Sequence, residues 1–315
     1  MKRTCSFIIA AMFFLFLASC QKELSVETNP GTAPGNISND STILSMFIQL
    51  DTTGGIIDTL SKTVFEYDAL KRLTAYKTFN YINNTPALAE PSERGYYFYN
   101  GTDTLAFKTI LVAADSSGNG DILVDSSCSF LTRNAAQQIT RDSVHYLQYL
   151  RTTGASLGTL HTYTSNFNIY ADSVIDNYRE TDNAGGITSV ITGKNKYAQT
   201  RLNGSLVSEI FYIWENTGYR QIRSEALSYD NKINPLKITS TNYPVILNNN
   251  FSANEYLYKN NFIQIIRTEN TIVPPVTSTT VSTYTYNTLN LPKTVVSYDI
   301  TNPLSAVKGI YIYTK

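Results

Sequence analysis

From Ile43 onward, apolar and polar residues alternate along the chain in segments rich in β-branched and aromatic side chains. Alternation with a period of two places apolar residues on one face of a strand, so the pattern predicts half-buried β-strands. Sustained helical spacing is absent after the first 20 residues. The exception is Tyr243–Asn254, where a loop and a helical turn both remain open. Clear examples of the strand pattern are Val64–Tyr67, Thr104–Lys108, Glu209–Trp214 and Thr283–Tyr286.

Short segments rich in Asn and Gly separate these runs about every 10–15 residues, and such residues tolerate the positive φ of tight hairpins. Strands joined by short turns form antiparallel meanders, here of up to about 18 strands. A sheet of that size must curl, close or split. The predicted fold is all-β: one antiparallel domain over 43–315, curled into a half-barrel or a barrel-like sheet. The turns are Asn100-Gly101, Gly118–Gly120, Gly185-Gly186, Asn203-Gly204, Asn216–Gly218 and Asn260-Asn261.

One short unit recurs along the chain: an aromatic residue, Asp or Asn, a polar turn, and then Leu or Pro. The copies are Phe65–Thr74, Leu227–Leu236 and Tyr284–Pro292. We expect the Asp or Asn side chain to cap the turn by accepting hydrogen bonds from the backbone ahead of it. The aromatic residue and the Leu should then meet across the hairpin.

These units resemble the Tyr-Asp repeats of Rhs-type shell proteins. They resemble more closely a group of Bacteroidota outer-membrane lipoproteins with a porin-like β fold, in which Tyr-Asp-Asn-Lys-x-Asn-Pro recurs, here Tyr229–Pro235. The likeness covers most of residues 60–315, although Lys71 replaces the usual turn Gly of the first copy. The resemblance implies a fold and a location, and no activity.

The N-terminus predicts secretion. Lys2 and Arg3 precede an apolar run from Phe7 to Ala18, which is too short for the roughly 20 residues of a spanning helix but fits a signal-peptide core. Leu17-Ala18-Ser19-Cys20 looks like the lipobox of bacterial lipoproteins. That resemblance implies cleavage after residue 19 and two or three acyl chains on Cys20, which is enough for stable anchoring. Residues 20–42 are rich in Thr, Asn, Pro, Gly and Ser and predict a flexible tether.

The run Gln21-Lys22-Glu23 is similar to the surface-export signal of Bacteroidota lipoproteins. It implies attachment to the outer membrane and exposure at the cell surface. The expected partners are therefore the outer membrane, through the lipid, and a glycan or other cell-surface proteins.

Composition removes several classes of function. With 25 Lys and Arg against 25 Asp and Glu, the chain has no excess of basic residues for binding nucleic acid. It holds no phosphate-binding Gly-rich loop, Ser nucleophile elbow or metal-spaced His/Cys set. We therefore predict no cofactor, no metal, no catalytic residues and no enzyme activity.

One segment resembles the first half of a calcium loop. Asp115, Ser117, Asn119 and Asp121 supply oxygens at alternate positions, with Gly120 at the sixth. The closing Glu is missing, since Ser126 stands at position 12. A plain hairpin turn is the favoured interpretation.

Two histidines and one cysteine are candidate ligands or nucleophiles. His145 and His161 lie on strands that meet near Thr153-Gly154. They share a face if the hairpin centres on either of those residues and lie on opposite faces if it centres between them. Cys128 alternates with Phe130 and is interpreted as a small core residue.

Paired tyrosines fit either a structural or a sugar-binding role. Such Tyr-x-Tyr pairs place two rings on one face, where they pack across strands or, if exposed, stack on sugars. The structural role is favoured. The pairs are Tyr97/Tyr99, Tyr256/Tyr258, Tyr284/Tyr286 and Tyr311/Tyr313.

Several Asp-Ser and Asp-Thr steps are followed by an aliphatic residue, Met or Thr. They look like the acceptor pattern of O-glycosylation in Bacteroidota, and they equally fit an Asp that ends a turn before a strand. If they are glycosylated, their hydroxyls must be exposed. The candidate acceptors are Ser41, Thr52, Thr59, Thr104, Ser143 and Ser173.

The sequence as a whole predicts a non-enzymatic, surface-exposed lipoprotein with a binding or structural role, its ligand unassigned but with a glycan as the candidate. The first alternative is a carrier of lipid or another apolar ligand in an open half-barrel. The second alternative is a glycan-active enzyme.

Overall fold

The protein is an antiparallel β structure. The computed structural model describes residues 42–52, 57–103, 105–116, 122–136, 138–150, 160–184, 187–202, 205–235 and 260–314. Its strands are β1 Ile43–Asp51, β2 Asp58–Tyr67, β3 Leu73–Ile82, β4 Thr85–Pro86, β5 Glu93–Phe98, β6 Lys108–Ser116, β7 Ile122–Arg133, β8 Ile139–Leu150, β9 Leu160–Ile169, β10 Ser173–Ala184, β11 Ile187–Leu202, β12 Ser205–Glu215, β13 Gly218–Ile233, β14 Asn260–Glu269, β15 Val276–Tyr286, β16 Pro292–Asp299 and β17 Asn302–Thr314.

The sheet closes on itself. Each strand pairs with its neighbour in sequence, and the last strand returns to the first: Met46 lies opposite Ile312, Phe47 opposite Tyr311 and Ile48 opposite Ile310. The two-residue β4 pairs with the end of β3, while β3 itself continues to β5. The other 16 strands therefore form a closed barrel.

The predicted all-β meander is confirmed, and of the two predicted shapes the barrel is the one observed. No α-helix occurs in the part of the chain that the structure describes. The described residues also contain no helix long and apolar enough to cross a membrane. The doubtful segment Tyr243–Asn254 lies outside the described residues.

One end of the barrel is filled by an apolar cluster. We call it the core end; β1 begins there and β17 ends there. Side chains from nearly opposite sides of the barrel belong to one buried cluster, so this end has a hydrophobic core that contributes about 1.5–3 kcal/mol for each large side chain fully buried. Its buried members are Leu44, Phe47, Phe65, Leu73, Tyr76, Tyr97, Leu105, Ala106, Ile139, Phe167, Val174, Val295 and Tyr311. We call the other end the polar end.

The recurring hairpins lie at the core end and carry the predicted caps. Asp68 Oδ1 accepts hydrogen bonds from the backbone N–H groups of Leu70 and Arg72, both at 2.9 Å. Asn287 Oδ1 accepts the equivalent pair from Leu289 and Leu291, at 2.9 and 3.0 Å. These side chains satisfy backbone donors that the turn would otherwise leave unpaired, as the sequence predicts.

Tyrosine hydroxyls link these hairpins to the preceding strand. Tyr67 donates to the carbonyl of Leu44, Tyr99 to that of Leu73, and Tyr313 to that of Pro292, each at 2.8 Å. Tyr229 donates likewise to Leu206. In each case a Tyr at or near a strand's end reaches the carbonyl at or next to the start of the strand before it, which ties adjacent strands at the core end.

Three inward-facing glycines lie under aromatic rings of the neighbouring strand. A Cβ at Gly193 would lie 2.2 Å from the ring of Tyr178, and one at Gly95 would lie 2.1 Å from the ring of Tyr76. Gly309 is covered by Phe47 in the same way. A ring laid over a glycine compensates for the packing that glycine lacks and fixes the strand register.

Candidate binding site on the inner wall of the barrel

Polar side chains occupy the inner wall between the two ends. Since side chains alternate along each strand, the register decides which residues face the interior. On β8–β11 the inward set combines carboxyl groups with tyrosines, and we call this set the acid wall. It comprises Asp142, Tyr146, His161, Tyr163, Ser165, Asp176, Tyr178, Glu180, Asp182 and Asn195.

Asp142 is the first deeply buried acid of this wall. It is 1% exposed, and the hydroxyl of Ser129 on β7 donates to its Oδ1. Burial raises the pKa of Asp142 to about 7, with the hydrogen bond from Ser129 acting against this and the charge of Asp176 adding to it. Among the described residues, the hydrogen-bond donor to this carboxyl is a neutral hydroxyl, and the group keeps its proton up to near neutrality.

Asp176 is the second buried acid. It is fully buried, and the Tyr163 hydroxyl donates to its Oδ2 over 3.5 Å. Burial raises the pKa of Asp176 to about 6, while hydrogen bonds from Ser165, Asn195 and Tyr163 hold it lower than burial alone would. Like Asp142, it has neutral neighbours and no guanidinium or ammonium beside it.

Towards the polar end the acid wall becomes accessible. His161 Nε2 lies 3.2 Å from Glu180 Oε1, and the two side chains are 27% and 25% exposed. The Tyr146 ring meets the His161 ring edge-on with centroids 5.3 Å apart. Because these side chains face inward and are still partly exposed, solvent reaches the interior at this level.

A stacked pair of tyrosines lies next to this contact between His161 and Glu180. The rings of Tyr163 and Tyr178 are 5.5 Å apart at an interplanar angle of 15°, and Tyr178 lies flat over Gly193. Tyr163 is buried, whereas Tyr178 is half-buried. The arrangement places a ring face within reach of the Glu180 carboxylate, since Glu180 lies directly across from Tyr163.

The inner wall of β12–β14 has a different composition, and we call it the arginine wall. Glu225 is 7% exposed; Arg267 Nε lies 2.8 Å from its Oε1 and Arg223 Nε lies 3.3 Å from the same atom. Glu209, directly across the sheet from Glu225, accepts a hydrogen bond from Gln199 Nε2 at 2.9 Å. Cations therefore compensate the buried acid here, in contrast to the acid wall.

A further buried acid lies on β5. Glu93 is 6% exposed and accepts a hydrogen bond from the Tyr76 hydroxyl. Burial raises the pKa of Glu93 to about 7, and the hydrogen bond from Tyr76 opposes the rise.

The chemistry of the acid wall suits binding of a polar ligand. Carboxylate oxygens accept hydrogen bonds from hydroxyl or amine groups, and a tyrosine face packs against an apolar ring surface. Among the described residues, no group of three His, Cys, Asp or Glu side chains is placed to hold a metal ion.

The register settles the placement of the two histidines. His145 lies opposite Thr162, and Tyr146 lies opposite His161, so the hairpin centres between residues 153 and 154. Of the arrangements left open by the sequence, the one with the histidines on opposite faces is observed. His161 joins the acid wall, while His145 packs edge-on against Phe130 on the outer face, with centroids 6.3 Å apart.

Cys128 requires a correction. It does share a face with Phe130, as predicted, but that face is the outer one, and Cys128 is half-buried rather than in the core. The local pattern of alternation cannot distinguish the two faces of a strand when both carry apolar residues.

The described tyrosine pairs have structural partners. Tyr97 and Tyr311 are buried in the core cluster, and the rings of Tyr284 and Tyr286 lie 6.1 Å apart. The Tyr286 hydroxyl donates to Asp230. Tyr256 and Tyr258 lie outside the described residues.

Several predicted sites stay untested. The described residues do not include Cys20, the signal segment or the tether up to residue 41. They also do not include Ser117, Asn119 and Asp121 of the calcium-like loop. Asp115 of that loop lies in β6 and pairs with Leu123. The candidate acceptors Ser41 and Thr104 also lie outside the described residues.

The other candidate glycosylation acceptors differ in accessibility. Thr52, Thr59 and Ser143 are half-buried, and the Thr52 hydroxyl donates to the carbonyl of Ala306. Ser173 is 9% exposed and its hydroxyl donates to Asp172, which makes it the least accessible of the four described.

Little in the sequence points to the acid wall. Asp142 stands out only as part of an Asp-Ser step, and no motif includes Asp176 or Glu180. The signal that could have revealed them is the position of each acid in the period-two alternation of its strand. Asp142 shares a face with Val144, and Asp176 shares a face with Val174, so each acid stands at a position that the pattern assigns to the interior.

Comparisons with known proteins add resemblances of low similarity. No protein-family model and no curated protein matches the chain. Among solved structures, a porin-like protein from Bacteroides uniformis has 13% identity and a TM-score of 0.37, covering 86% of this chain and 98% of its own. A porin-like protein from Bacteroides vulgatus has 11% identity and a TM-score of 0.43, covering 87% of this chain and 99% of its own.

Proposed function

We propose that this protein is a non-enzymatic, surface-exposed outer-membrane lipoprotein, anchored through Cys20, whose barrel binds a glycan at the polar end of the acid wall. The observation that carries the binding role is the partly exposed His161–Glu180 pair on the inner wall, with the half-buried Tyr178 ring beside it. Inward-facing hydrogen-bonding groups next to the edge of an aromatic ring suit the hydroxyls and the C–H groups of a sugar.

The polar interior favours a glycan over an apolar ligand. Between the two ends the inner wall is built from polar side chains, so it offers an apolar ligand little apolar surface to bury. Examples are Gln49, Ser61, Thr63, Thr78 and Asn195.

Burial of the acid pair favours binding over catalysis. Asp142 and Asp176 interact electrostatically and have raised pKa values, two features of acid–base pairs in enzymes. They are 1% and 0% exposed, however, so a bound sugar would contact Glu180 and His161 and not these acids.

The outer wall supports tethering by lipid rather than insertion of the barrel. Lys62, Lys77 and Lys194 face outward near the middle of their strands. A lysine facing hydrocarbon at the bilayer midplane costs about 2–4 kcal/mol. Attachment through acyl chains on Cys20 leaves this wall in water.

Binding is tested by calorimetric titration of the full chain with neutral and amino-sugar oligosaccharides, for example xylohexaose, maltohexaose and chitotriose. At least one should bind, and Glu180→Gln should weaken that binding roughly 10- to 100-fold, the usual worth of a hydrogen bond to a charged group. The matched control is Glu66→Gln, an acid on the outer wall.

Failure of every oligosaccharide to bind, or an equal loss in both variants, would overturn the glycan-binding role. Anchoring is tested separately by fractionation: Cys20→Ala should release the protein from outer membranes. Continued sedimentation of that variant with the membranes in the absence of detergent would contradict the lipid anchor.

A further inference from the structure

Charged side chains are sorted between the two faces of the barrel. Within the paired registers, Glu66 is the acid that faces outward, whereas the inner wall carries acids on most strands. The other outward-facing charged residues are basic: Lys62, Lys77, Arg94, Lys108, Arg141, Arg179, Lys194, Lys196 and Lys308. A chain with no formal net charge thus presents a basic outer wall.

Three of these cations form a cluster on β10 and β11. Lys194 lies opposite Asn177 and Lys196 opposite Ile175, and Arg179 follows two residues after Asn177 on the same face of β10. Arg179 is exposed, and the outward neighbours between the cations, Asn177 and Thr192, are neutral. The positive charge is therefore not compensated locally within the paired strands.

Aromatic rings continue this cluster onto β12 and β13. Lys194 Nζ lies 5.7 Å from the ring centroid of Trp214 and 5.8 Å from that of Tyr219, and Lys196 Nζ lies 5.9 Å from Tyr219. The Tyr219 ring meets Tyr212 and Trp214 edge-on. Trp214 remains 46% exposed, although tryptophan is usually well buried.

We propose that this outer face of β10–β13, formed by Arg179, Lys194, Lys196, Tyr212, Trp214 and Tyr219, binds an acidic polysaccharide. The cations complement carboxylate or sulfate groups, and the exposed indole offers a stacking face for a sugar ring. Lys194 and Lys196 are two residues apart on an extended strand, about 6.6 Å, which a polymer with a charge on successive units spans. This site is on the opposite face of the wall from the glycan site proposed above, and neither depends on the other.

The position of the patch favours a polymer over a membrane surface. Trp214 and Tyr219 flank the β12–β13 turn at the polar end, whereas β1 begins at the core end. If the chain is anchored as proposed above, the tether from Cys20 enters the barrel at β1, so the patch lies at the end of the barrel opposite the tether.

The protein carries its own reporter for this proposal, because Trp214 is the one tryptophan among its 315 residues. The full chain, kept in a non-ionic detergent, is titrated with oligogalacturonate and with dextran sulfate while the tryptophan emission is followed. We expect a saturable change in emission, with affinity that falls as salt is added. Neutral dextran should give no change.

Lys194→Gln combined with Lys196→Gln should weaken binding at least tenfold, while the matched pair Lys62→Gln and Lys308→Gln, on a part of the outer wall outside the patch, should change it less than twofold. Trp214→Phe removes the fluorescent reporter, so polyanion binding by this variant is measured by calorimetry, and we expect it to be retained. Equal binding of neutral dextran, equal losses in both lysine pairs, or an emission change with mixed micelles of anionic lipid and the same detergent but with neither polyanion would each overturn the proposal.

Discussion

Two regions of the inner wall accommodate a buried carboxyl group in opposite ways. On the acid wall, Asp142 and Asp176 have hydroxyl and amide neighbours, and burial raises their pKa values to about 7 and about 6. On the arginine wall, Glu225 lies within 2.8 Å of Arg267 and 3.3 Å of Arg223. The strands have the same pairing and lie in the same barrel, so the difference arises from the partner side chains alone.

The comparison separates two ways of avoiding an uncompensated buried charge. A carboxyl without a cation avoids the cost of desolvation by keeping its proton, and one with guanidinium partners keeps its charge because that charge is compensated. The first arrangement makes stability depend on pH, and the second makes it depend on the integrity of the ion pairs.

The largest effect should follow from breaking the arginine wall. Arg267→Met removes one cation from Glu225 and should lower the free energy of unfolding by about 2–3 kcal/mol, because a buried charge loses compensation while Arg223 remains. Urea denaturation at pH 7.5 measures the change. Arg220→Met, which breaks the exposed pair with Glu215, is the control and should have no measurable effect.

A smaller loss should follow from disturbing the ring packing of the acid wall. Gly193→Ala places a methyl group against the Tyr178 ring, where the gap is 2.2 Å, and should cost about 2 kcal/mol as overpacking. Gly218→Ala on β13 meets no atom within 4 Å and serves as the control. Equal melting temperatures for the two variants would show that the tyrosine stack moves aside freely.

The pH dependence of stability should differ between the walls. Asp142 has a folded pKa of about 7 against a reference of 3.8, so the folded state holds its proton more tightly. Its stabilising contribution is fully present below pH 3.8 and is lost as the pH rises through about 7. Asp142→Asn should therefore flatten the stability profile between pH 4 and 7 by about 1 kcal/mol per pH unit. An unchanged slope in chemical denaturation would refute this assignment.

The smallest effect concerns a single hydrogen bond on the acid wall. Tyr163→Phe removes the hydroxyl that donates to Asp176 over 3.5 Å, which is a long and weak bond. Stability should fall by less than about 1 kcal/mol, and the pKa of Asp176 should rise because a donor to its charged form is lost. Carboxyl NMR titration measures the shift, and a downward shift would contradict the assignment.

Much of the fold follows from local patterning. The alternation after Ile43 and the Asn- and Gly-rich turns predicted an antiparallel meander, and the caps at Asp68 and Asn287 are the ones expected from their position after an aromatic residue. These features are local because a turn and its cap involve only neighbouring residues, so the sequence contains the whole interaction.

The candidate site could be predicted only in part. The phase of Asp176 within β10 places it on the same face as Val174, but whether that face is interior depends on closure of the sheet. Cys128 illustrates the ambiguity, because its alternation with Phe130 was correct and its assignment to the core was wrong. On strands with apolar residues on both faces, period-two alternation defines two faces without saying which is inside.

The sequence by itself determined the strands, their antiparallel order and the chemistry of the hairpin turns, since these depend on contacts between residues that are close in the chain. Tertiary structure decided the pairing of β1 with β17, the register that separated His145 from His161, and the partners of each buried carboxyl. Glu225 is 42 residues from Arg267 and Tyr286 is 56 residues from Asp230. No local pattern encodes such pairs, because the two residues are far apart in the chain. Their meeting depends on the register of every strand between them, and a slip of one residue would turn a strand's side chains to the other face.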